Sequence, residues 1–380
     1  MAKGAGISSS FGSRSFQSKG NNAQATSQCD TLVKYSFVSA QTVRRLTSEK
    51  WAVRKSAQQG QKQNGKRLLK QIHKQMRFST DVLRMSLRGI STPCIYGLTE
   101  TDGFAKVVVD MEYIPFNDVM FAMLRNGRND LEWLIKSVVS LVEAFISESS
   151  IVSLASLLPA FEEKASDIKR ALEKSALLSS AERAKIADQI EIIMTTYRLN
   201  GQDVMVPIGS CHGDLTMQNM LVDANERELC IFDFLDCFIE SPLQDIAKLM
   251  QDCKHHWILT QTSVSPAEIT RVMSTLNYFA RYIQGCFSRH MFWRAVPLFE
   301  FFCLARILPY MTTSAEKCCL QEGLRKILSD LEAHSDLIGM STEPVNQDIV
   351  GIPAANQMTA RKYESTDEML LFISIRYGHR

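Results

Sequence analysis

The first half of the chain alternates between two periods. In Val33-Lys34-Tyr35-Ser36-Phe37-Val38 every second residue is apolar, the period of a half-buried strand. A second extended run spans Thr42 to Ser56, bent near Thr47-Ser48. Over residues 66–78 the period changes: Leu68, Leu69, Ile72 and Met76 recur at helical spacing. Pro93 to Tyr96 and Ala105 to Tyr113 return to strand character. Val107-Val108-Val109 is β-branched and follows Thr101-Asp102-Gly103, a turn signal.

From about Asn117 the pattern is helical. Leu131 to Ile146, Ile168 to Leu178 and Ser180 to Tyr197 carry apolar residues three to four apart. Ser180, with Glu182 and Arg183 after it, marks a helix start. Residues 203–236 break this pattern with short strands and tight turns, and helices resume from Leu243 into the 330s. This order predicts an α+β, two-lobed architecture. Its expected parts are a disordered tail over 1–30, a small β-rich lobe over 31–116 and a larger, mainly helical lobe over 117–338. A loop-rich tail over 339–380 follows, and its apolar run Met369 to Ile375 has no evident partner. The Ser-, Gly- and Gln-rich start also has the composition of a transit peptide, but it shows no amphipathic helix. No internal repeat is visible.

Composition narrows the classes. Hydrophobic residues make up 45% of the 380 and charged residues 22%, as in ordinary globular chains. No stretch of about 18 apolar residues is free of charge, so no membrane span is expected. The ten cysteines form no Cys-x-x-Cys pair, and residues 1–30 lack the apolar core of a secretory signal. Reduced thiols and a cytoplasmic setting follow as expectations. Cys253, His255 and His256 lack the second ligand pair of a zinc site. The net charge of +2 hides an asymmetry: residues 1–100 hold 17 Lys and Arg against 4 acids, the other 280 hold 26 against 37. Such a basic N-terminal quarter fits a polyphosphate-handling lobe better than nucleic acid, because interleaved aromatics are sparse.

The chemistry is concentrated in Cys211-His212-Gly213-Asp214-Leu215-Thr216-Met217-Gln218-Asn219, followed by Ile231-Phe232-Asp233-Phe234-Leu235-Asp236. A strand, turn and second strand between Asn219 and Asp233 form a hairpin that returns Asp233 to Asn219. Two oxygen-bearing side chains then converge, as Mg²⁺ requires. Asp214 faces the same point, placed to take or orient the proton of an acceptor hydroxyl. The Asp-to-Asn spacing equals that of the protein-kinase catalytic loop, with Gly213 in place of its Arg.

This segment resembles the aminoglycoside phosphotransferase and choline kinase-like superfamily, a branch of the protein kinase-like fold. The resemblance continues through Asp236, Pro242, Asp245 and Ala247; Leu235 stands for a frequent Gly, and Ser241 for a frequent Asp. It implies ATP and Mg as cofactors, with Asp214 as catalytic base and Asn219 and Asp233 as metal ligands. Asp245 and His212 are expected to brace the loop. In the small lobe, Trp51-Ala52-Val53-Arg54-Lys55 resembles the strand whose Lys holds phosphates. Val109 to Pro115 resembles the hinge, where Glu112 and Ile114 would read adenine. Two departures stand out: Val38 to Val43 has no Gly, and no acid lies between Glu49 and Asp81. Gln71 takes the expected place of the acidic partner of Lys55.

For the acceptor, the candidates are Asp252, Trp257 and Arg306, with Tyr282 and Arg289 behind them. Arg306 is a charge in an apolar helix and needs a partner, either a buried acid or an anionic substrate. The expected activity is transfer of the γ-phosphate of ATP to a small-molecule hydroxyl on a sugar, amino sugar or amino alcohol. The alternative is a pseudokinase-type module that binds nucleotide or a partner without turnover. The absence of an A-P-E segment after Asp233 weakens a protein-kinase reading.

Overall fold

The computed structural model describes residues 31–35, 39–45, 51–57 and 62–333, with 86, 102, 105 and 263 excepted. The tails over 1–30 and 339–380, Val38, and the bend at Thr47-Ser48 lie outside the described residues.

Five antiparallel strands form the small lobe. β1 (Thr31–Tyr35), β2 (Ser39–Arg45) and β3 (Trp51–Ala57) run in sequence at one side. The run expected as one bent strand is thus two strands, with Ser39 opposite Ala57 and Arg45 opposite Trp51. α1 (Lys62–Arg84) extends beyond the predicted 66–78 at both ends. After the short β4 (Ile90–Ser91) come β5 (Ile95–Thr101) and β6 (Lys106–Glu112), giving the sheet order β1-β2-β3-β6-β5. Alternation along β6 turns Val107, Val109 and Met111 inward, where Leu68 and Ile72 of α1 pack on them.

The chain then enters the large lobe through β7 (Asn117–Asp118) and α2 (Val119–Arg125), whose first turn is capped by Asp118 accepting Phe121 N–H at 2.7 Å. α3 (Glu132–Ser147) matches expectation, and β8 (Ser150–Ser153) follows it. α4 (Leu158–Leu172) corrects the helix expected over 168–178. Pro159 presets its first turn, and Leu158, Phe161, Ala165, Ile168 and Leu172 form the buried stripe. α5 (Ser180–Asn200) is capped one residue earlier than expected. Ser179 Oγ accepts Glu182 N–H, while Glu182 Oε2 accepts Ser179 N–H at 2.8 Å, a reciprocal box.

β9 (Met205–Ile208) pairs with β8, a ribbon the helical reading missed. β10 (Met220–Asp223) and β11 (Glu228–Ile231) form the expected hairpin and join a second sheet ordered β4-β11-β10-β7. α6 (Pro242–Cys253), α7 (Trp257–Thr260), α8 (Pro266–Phe287), α9 (Val296–Ala305) and α10 (Ser314–Ala333) complete the described chain. No helix among the described residues is long and apolar enough to cross a membrane.

α6 is the axis of this lobe and is buried on every side. Gln244, Asp245, Lys248, Gln251 and Asp252 are buried with it. Buried polar groups must find partners, and three of these reach the 212–217 loop directly. The polar content of α6 is therefore what positions the site.

One close approach fixes α1 on the sheet. A Cβ on Gly65 would lie 2.0 Å from the Phe104 carbonyl oxygen and 3.1 Å from a Val107 methyl. Gly65→Ala is expected to destabilise the small lobe by roughly 1–3 kcal/mol, the range of overpacking. Denaturant unfolding would show it, as a lower midpoint than that of an exposed control such as Gln63→Ala.

Candidate active site

β9 delivers the chain into the loop that begins at Gly209, and α6 holds that loop from below. Asp245 Oδ2 accepts the His212 N–H at 2.6 Å and its Oδ1 accepts the Gly213 N–H at 2.7 Å. Gly213 has φ +89°, and a Cβ there would lie 2.4 Å from both Cys237 Sγ and the Leu235 carbonyl oxygen. The Gly of His212-Gly213-Asp214 is therefore required twice, by backbone and by space.

The His212 ring is fully buried, and its neighbours fix its tautomer. Nδ1 accepts the Asp214 N–H at 3.1 Å, so Nε2 carries the proton and donates to the Phe232 carbonyl at 3.0 Å. Burial pushes its pKa down to about 4. His212 is thus a neutral brace across the loop, not a base. Its ring lies 4.3 Å from Phe234, which lies 4.8 Å from Phe78 of α1. This stack joins the helix of the small lobe to the loop.

Asp214 is met by three groups. Asn219 Nδ2 donates to its carbonyl at 2.8 Å and to Oδ2 at 3.1 Å, while Lys248 Nζ (2.9 Å) and Arg306 Nη2 (3.3 Å) converge on Oδ1. Burial raises the carboxyl, but Lys248 and Arg306 outweigh it and hold it well below the usual carboxylate range. Lys248 was missed by sequence reasoning. The signal was present, because Lys248 lies one turn after Asp245 and is flanked by Ala247, Leu249 and Met250. It is a cation in an apolar setting, the criterion that singled out Arg306.

The hairpin brings Asn219 and Asp233 together. Met220 stands opposite Ile231, and Phe232 N–H donates to the Asn219 carbonyl at 3.1 Å. Asp233 has φ +66°, a left-handed conformation that Asp tolerates better than most residues and that concentrates at functional sites. Its carboxylate pairs with the ammonium of Lys55, which is 5% exposed. Arg54, on the other face of β3, pairs with Asp110 at 2.8 Å.

Gln71 is buried and lines the same cavity as Lys55 and Asp233, a space of about 180 Å³ also bounded by Glu112, Ile114 and Leu221. Glu112 N–H is already donated to the Cys94 carbonyl at 2.8 Å. The larger cavity, about 660 Å³, lies along the basic face of α1 and does not include Asp214. Lys70 pairs there with Asp236 at 3.1 Å. Lys74 binds Glu240 Oε2 at 2.6 Å and the Leu235 carbonyl at 2.8 Å. Cys211, Cys237 and Glu240 come together in a metal-like cluster, but the Lys74 ammonium already supplies the cation beside them.

Of the three acceptor candidates, Arg306 reaches Asp214. Asp252 is buried beneath the loop, where Oδ2 accepts the Met217 N–H at 2.8 Å and burial pushes its pKa up to about 7. That contact gives it a bracing position rather than an open face. Trp257 packs half-buried against the core of the helical lobe, and Arg289 is exposed. Tyr278 and Tyr282 stand 6.3 Å apart on α8, with the Arg128 guanidinium over Tyr278. His255 and His256 diverge, toward Glu300 (3.0 Å) and Asn277 (3.1 Å).

The neutral state of His212 has a measurable consequence. Its folded pKa, about 4, is below the ordinary 6.5, so between those values the unfolded chain binds more protons. The His212 contribution to stability therefore rises with pH across that window and is lost as pH falls from 6.5 through 4, while the raised Asp245 and Asp252 contribute the opposite slope. Urea unfolding at pH 4.5 and 7 should show His212→Gln losing part of that slope, up to roughly 3 kcal/mol. A variant that keeps the parent's slope would show that His212 does not contribute to it.

The model of the phosphotransferase enzyme family (APH) matches residues 151–265, the span from β8 to the start of α8. No curated protein shows a significant match. Among solved structures, the chain is similar to a thermostable mutant of aminoglycoside phosphotransferase APH(4)-Ia in ternary complex with ADP and hygromycin B. That pair has TM-score 0.52 and 10% identity, covering 83% of this chain and 95% of that one. It is also similar to the GDP and kanamycin complex of APH(2")-IIia, with TM-score 0.50 and 14% identity over 81% and 95%. The chain thus has the two-lobed kinase-like fold seen in those aminoglycoside phosphotransferase structures, and its residues 151–265 match the phosphotransferase enzyme family model.

Proposed function

We propose that this protein transfers the γ-phosphoryl group of ATP to a hydroxyl of a small molecule. The observation that carries this reading is the convergence of Asp214, Asn219, Asp233 and Lys55, drawn from three separate elements, around one loop. Because Asn219 Nδ2 donates to Asp214, its Oδ1 is the atom turned to a cation. The Asp233 carboxylate supplies a second oxygen, and such donors suit Mg²⁺. When bound, that ion neutralises charge on the phosphoryl oxygens. Lys55 holds the α- and β-phosphates, Gln71 backs it with a neutral amide, and Glu112 and Ile114 offer backbone groups to the base. Two fold neighbours hold ADP or AMP-PNP, which supports nucleotide in this cleft.

Asp214 accepts a hydrogen bond from the acceptor hydroxyl and takes its proton as the new bond forms. Its low basicity is no obstacle. Phosphoryl transfer runs through a loose transition state, so aiming the hydroxyl matters more than early proton removal. Lys248 fixes the carboxylate and shares its charge.

The pseudokinase-type alternative rests on the Gly-free β2 strand and on Gln71, which brings no charge to Lys55. One pair of variants separates the two readings. Asp214→Asn is expected to lower turnover by about 10²–10⁴-fold, with Mg-ATP affinity by calorimetry unchanged. Asp233→Asn is expected to remove the Mg-dependent part of ATP binding. Nucleotide binding with no ADP formed by the parent protein, for any hydroxylated acceptor, would favour the module.

A further inference from the structure

Cys211 and Cys237 bracket the loop that carries Asp214, one just before His212 and the other just past Asp233 and Phe234. Their sulfurs and a Glu240 carboxylate oxygen all lie within 4.8 Å of one another. Glu240 joins the pair: its Oε2 accepts the Cys211 S–H at 3.3 Å and its Oε1 accepts the Cys237 N–H at 3.1 Å. The Lys74 ammonium lies 3.5 Å from the Cys211 sulfur. A Cβ on Gly213 would stand 2.4 Å from the Cys237 sulfur and 3.2 Å from that ammonium, so the second sulfur and the cation border one empty position. Two thiols, a carboxylate and an ammonium thus share a small space against the loop, and nothing in the proposed reaction uses them.

The space is open to small solutes. Cys211, Lys74 and Glu240 line the cavity of about 660 Å³, and Cys237 is half-buried. The two thiols are not equivalent. Cys211 is 3% exposed, and the Cys237 sulfur together with burial pushes its thiol up, so it keeps its proton and directs it at Glu240. Cys237 is the sulfur with solvent access, and it lies beside a cation, the setting that favours a thiolate.

We propose that Cys211 and Cys237 are a reversible oxidation site that governs the 212–214 loop, closed to a disulfide by a peroxide. The Cys237 thiolate attacks hydrogen peroxide, the O–O bond breaks and a sulfenic acid forms, its former thiol proton leaving in the first water. The Cys211 sulfur then attacks the Cys237 sulfur and the S–O bond breaks. The Cys211 proton passes by way of Glu240 to the departing hydroxide, which leaves as the second water. Two thiols and one peroxide become one disulfide and two waters, and a dithiol reductant reverses the change. A sulfur–sulfur bond is about 2.05 Å long, so closing it draws the Cys237 sulfur from its place against Gly213. That glycine has no slack, with the sulfur and the Leu235 carbonyl oxygen both 2.4 Å from its Cβ position. Oxidation therefore disturbs Gly213 and, through it, Asp214.

The test treats the full chain with hydrogen peroxide and maps the digested protein by mass spectrometry. The expected product is a crosslink between tryptic peptides 199–227 and 228–248, absent after dithiothreitol. The second peptide also holds Cys230, so Cys230→Ser should keep the crosslink and Cys237→Ser should lose it. In Cys211→Ser, checked for an unchanged melting temperature, Cys237 should go on to sulfinic acid for want of a resolving thiol. Turnover, which rests on the phosphotransferase reading, should fall by about tenfold or more on oxidation, as small displacements of a positioned group do. It should return with reductant, and Cys237→Ser should stay insensitive. No crosslink in the parent, or one that survives Cys237→Ser, would overturn the proposal, and so would a complete crosslink that leaves transfer unchanged. A reversible crosslink in a chain that phosphorylates no acceptor would uphold the oxidation site and count against the phosphotransferase reading alone.

Discussion

The site depends on one buried carboxylate. Asp245 sits fully buried on α6 and takes two successive backbone N–H groups, one on each oxygen. Burial pushes its pKa up to about 7, against the pull of those two donors. Breaking either bond would leave an unpaired charge or amide in the core, at a cost of several kcal/mol. The grip forces Gly213 into its left-handed conformation and turns the His212 ring to bridge Asp214 and Phe232. Asp214 is therefore held in place by its neighbours, and on the proposed reading its aim would carry little entropy cost at the moment of reaction.

The junction between lobes is electrostatic, and it gives the sequence's charge asymmetry a structural meaning. Kinase-like sites couple the small-lobe Lys to an acid on the first helix, and here that helix has no acid before Asp81 in its last turn. Its face toward the large lobe carries Lys70 and Lys74, which bind Asp236 and Glu240 on the loop after Asp233. The polarity of the junction is reversed, with a basic helix docking on an acidic loop. Lys70 is mostly exposed and its pair adds little stability. Lys74 is buried, so its pair sets the position of the helix. Phe78, one turn further along, closes the aromatic stack onto Phe234 and His212.

The sequence made the fold class, the hairpin and the convergence on Asp214 legible because each is written in local spacing. Gly213, Asp214, Asn219 and Asp233 lie within 21 residues, and strand geometry determines how they meet. Lys55 was singled out by the resemblance of Trp51–Lys55 to a phosphate-holding strand, and alternation set it on the face opposite Arg54. The partners of these residues were not legible, because they depend on packing between distant segments. Gln71 was expected to answer Lys55, yet Asp233 pairs with it across 178 positions. Asp252 was expected to face the acceptor, but a fully buried α6 turns it under Met217. The β8–β9 ribbon was missed for a similar reason: its two four-residue strands are separated by two helices, so no local alternation marks them as a pair.

On the proposed phosphotransferase reading, the same buried helix both fixes Asp214, through Lys248, and leaves it to take a proton. Two cations on Asp214 make it a weaker base, which for a reaction needing early deprotonation would slow turnover. In a loose phosphoryl transfer the nucleophile keeps its proton until late, so little basicity is required. What is required is a fixed anion whose remaining lone pairs point at one hydroxyl. Lys248 supplies that fixity from inside the core. Arg306, more exposed at the end of α9, holds the same oxygen from outside the core. Both cations therefore serve the geometry of one carboxylate, one from within the core and one from its edge.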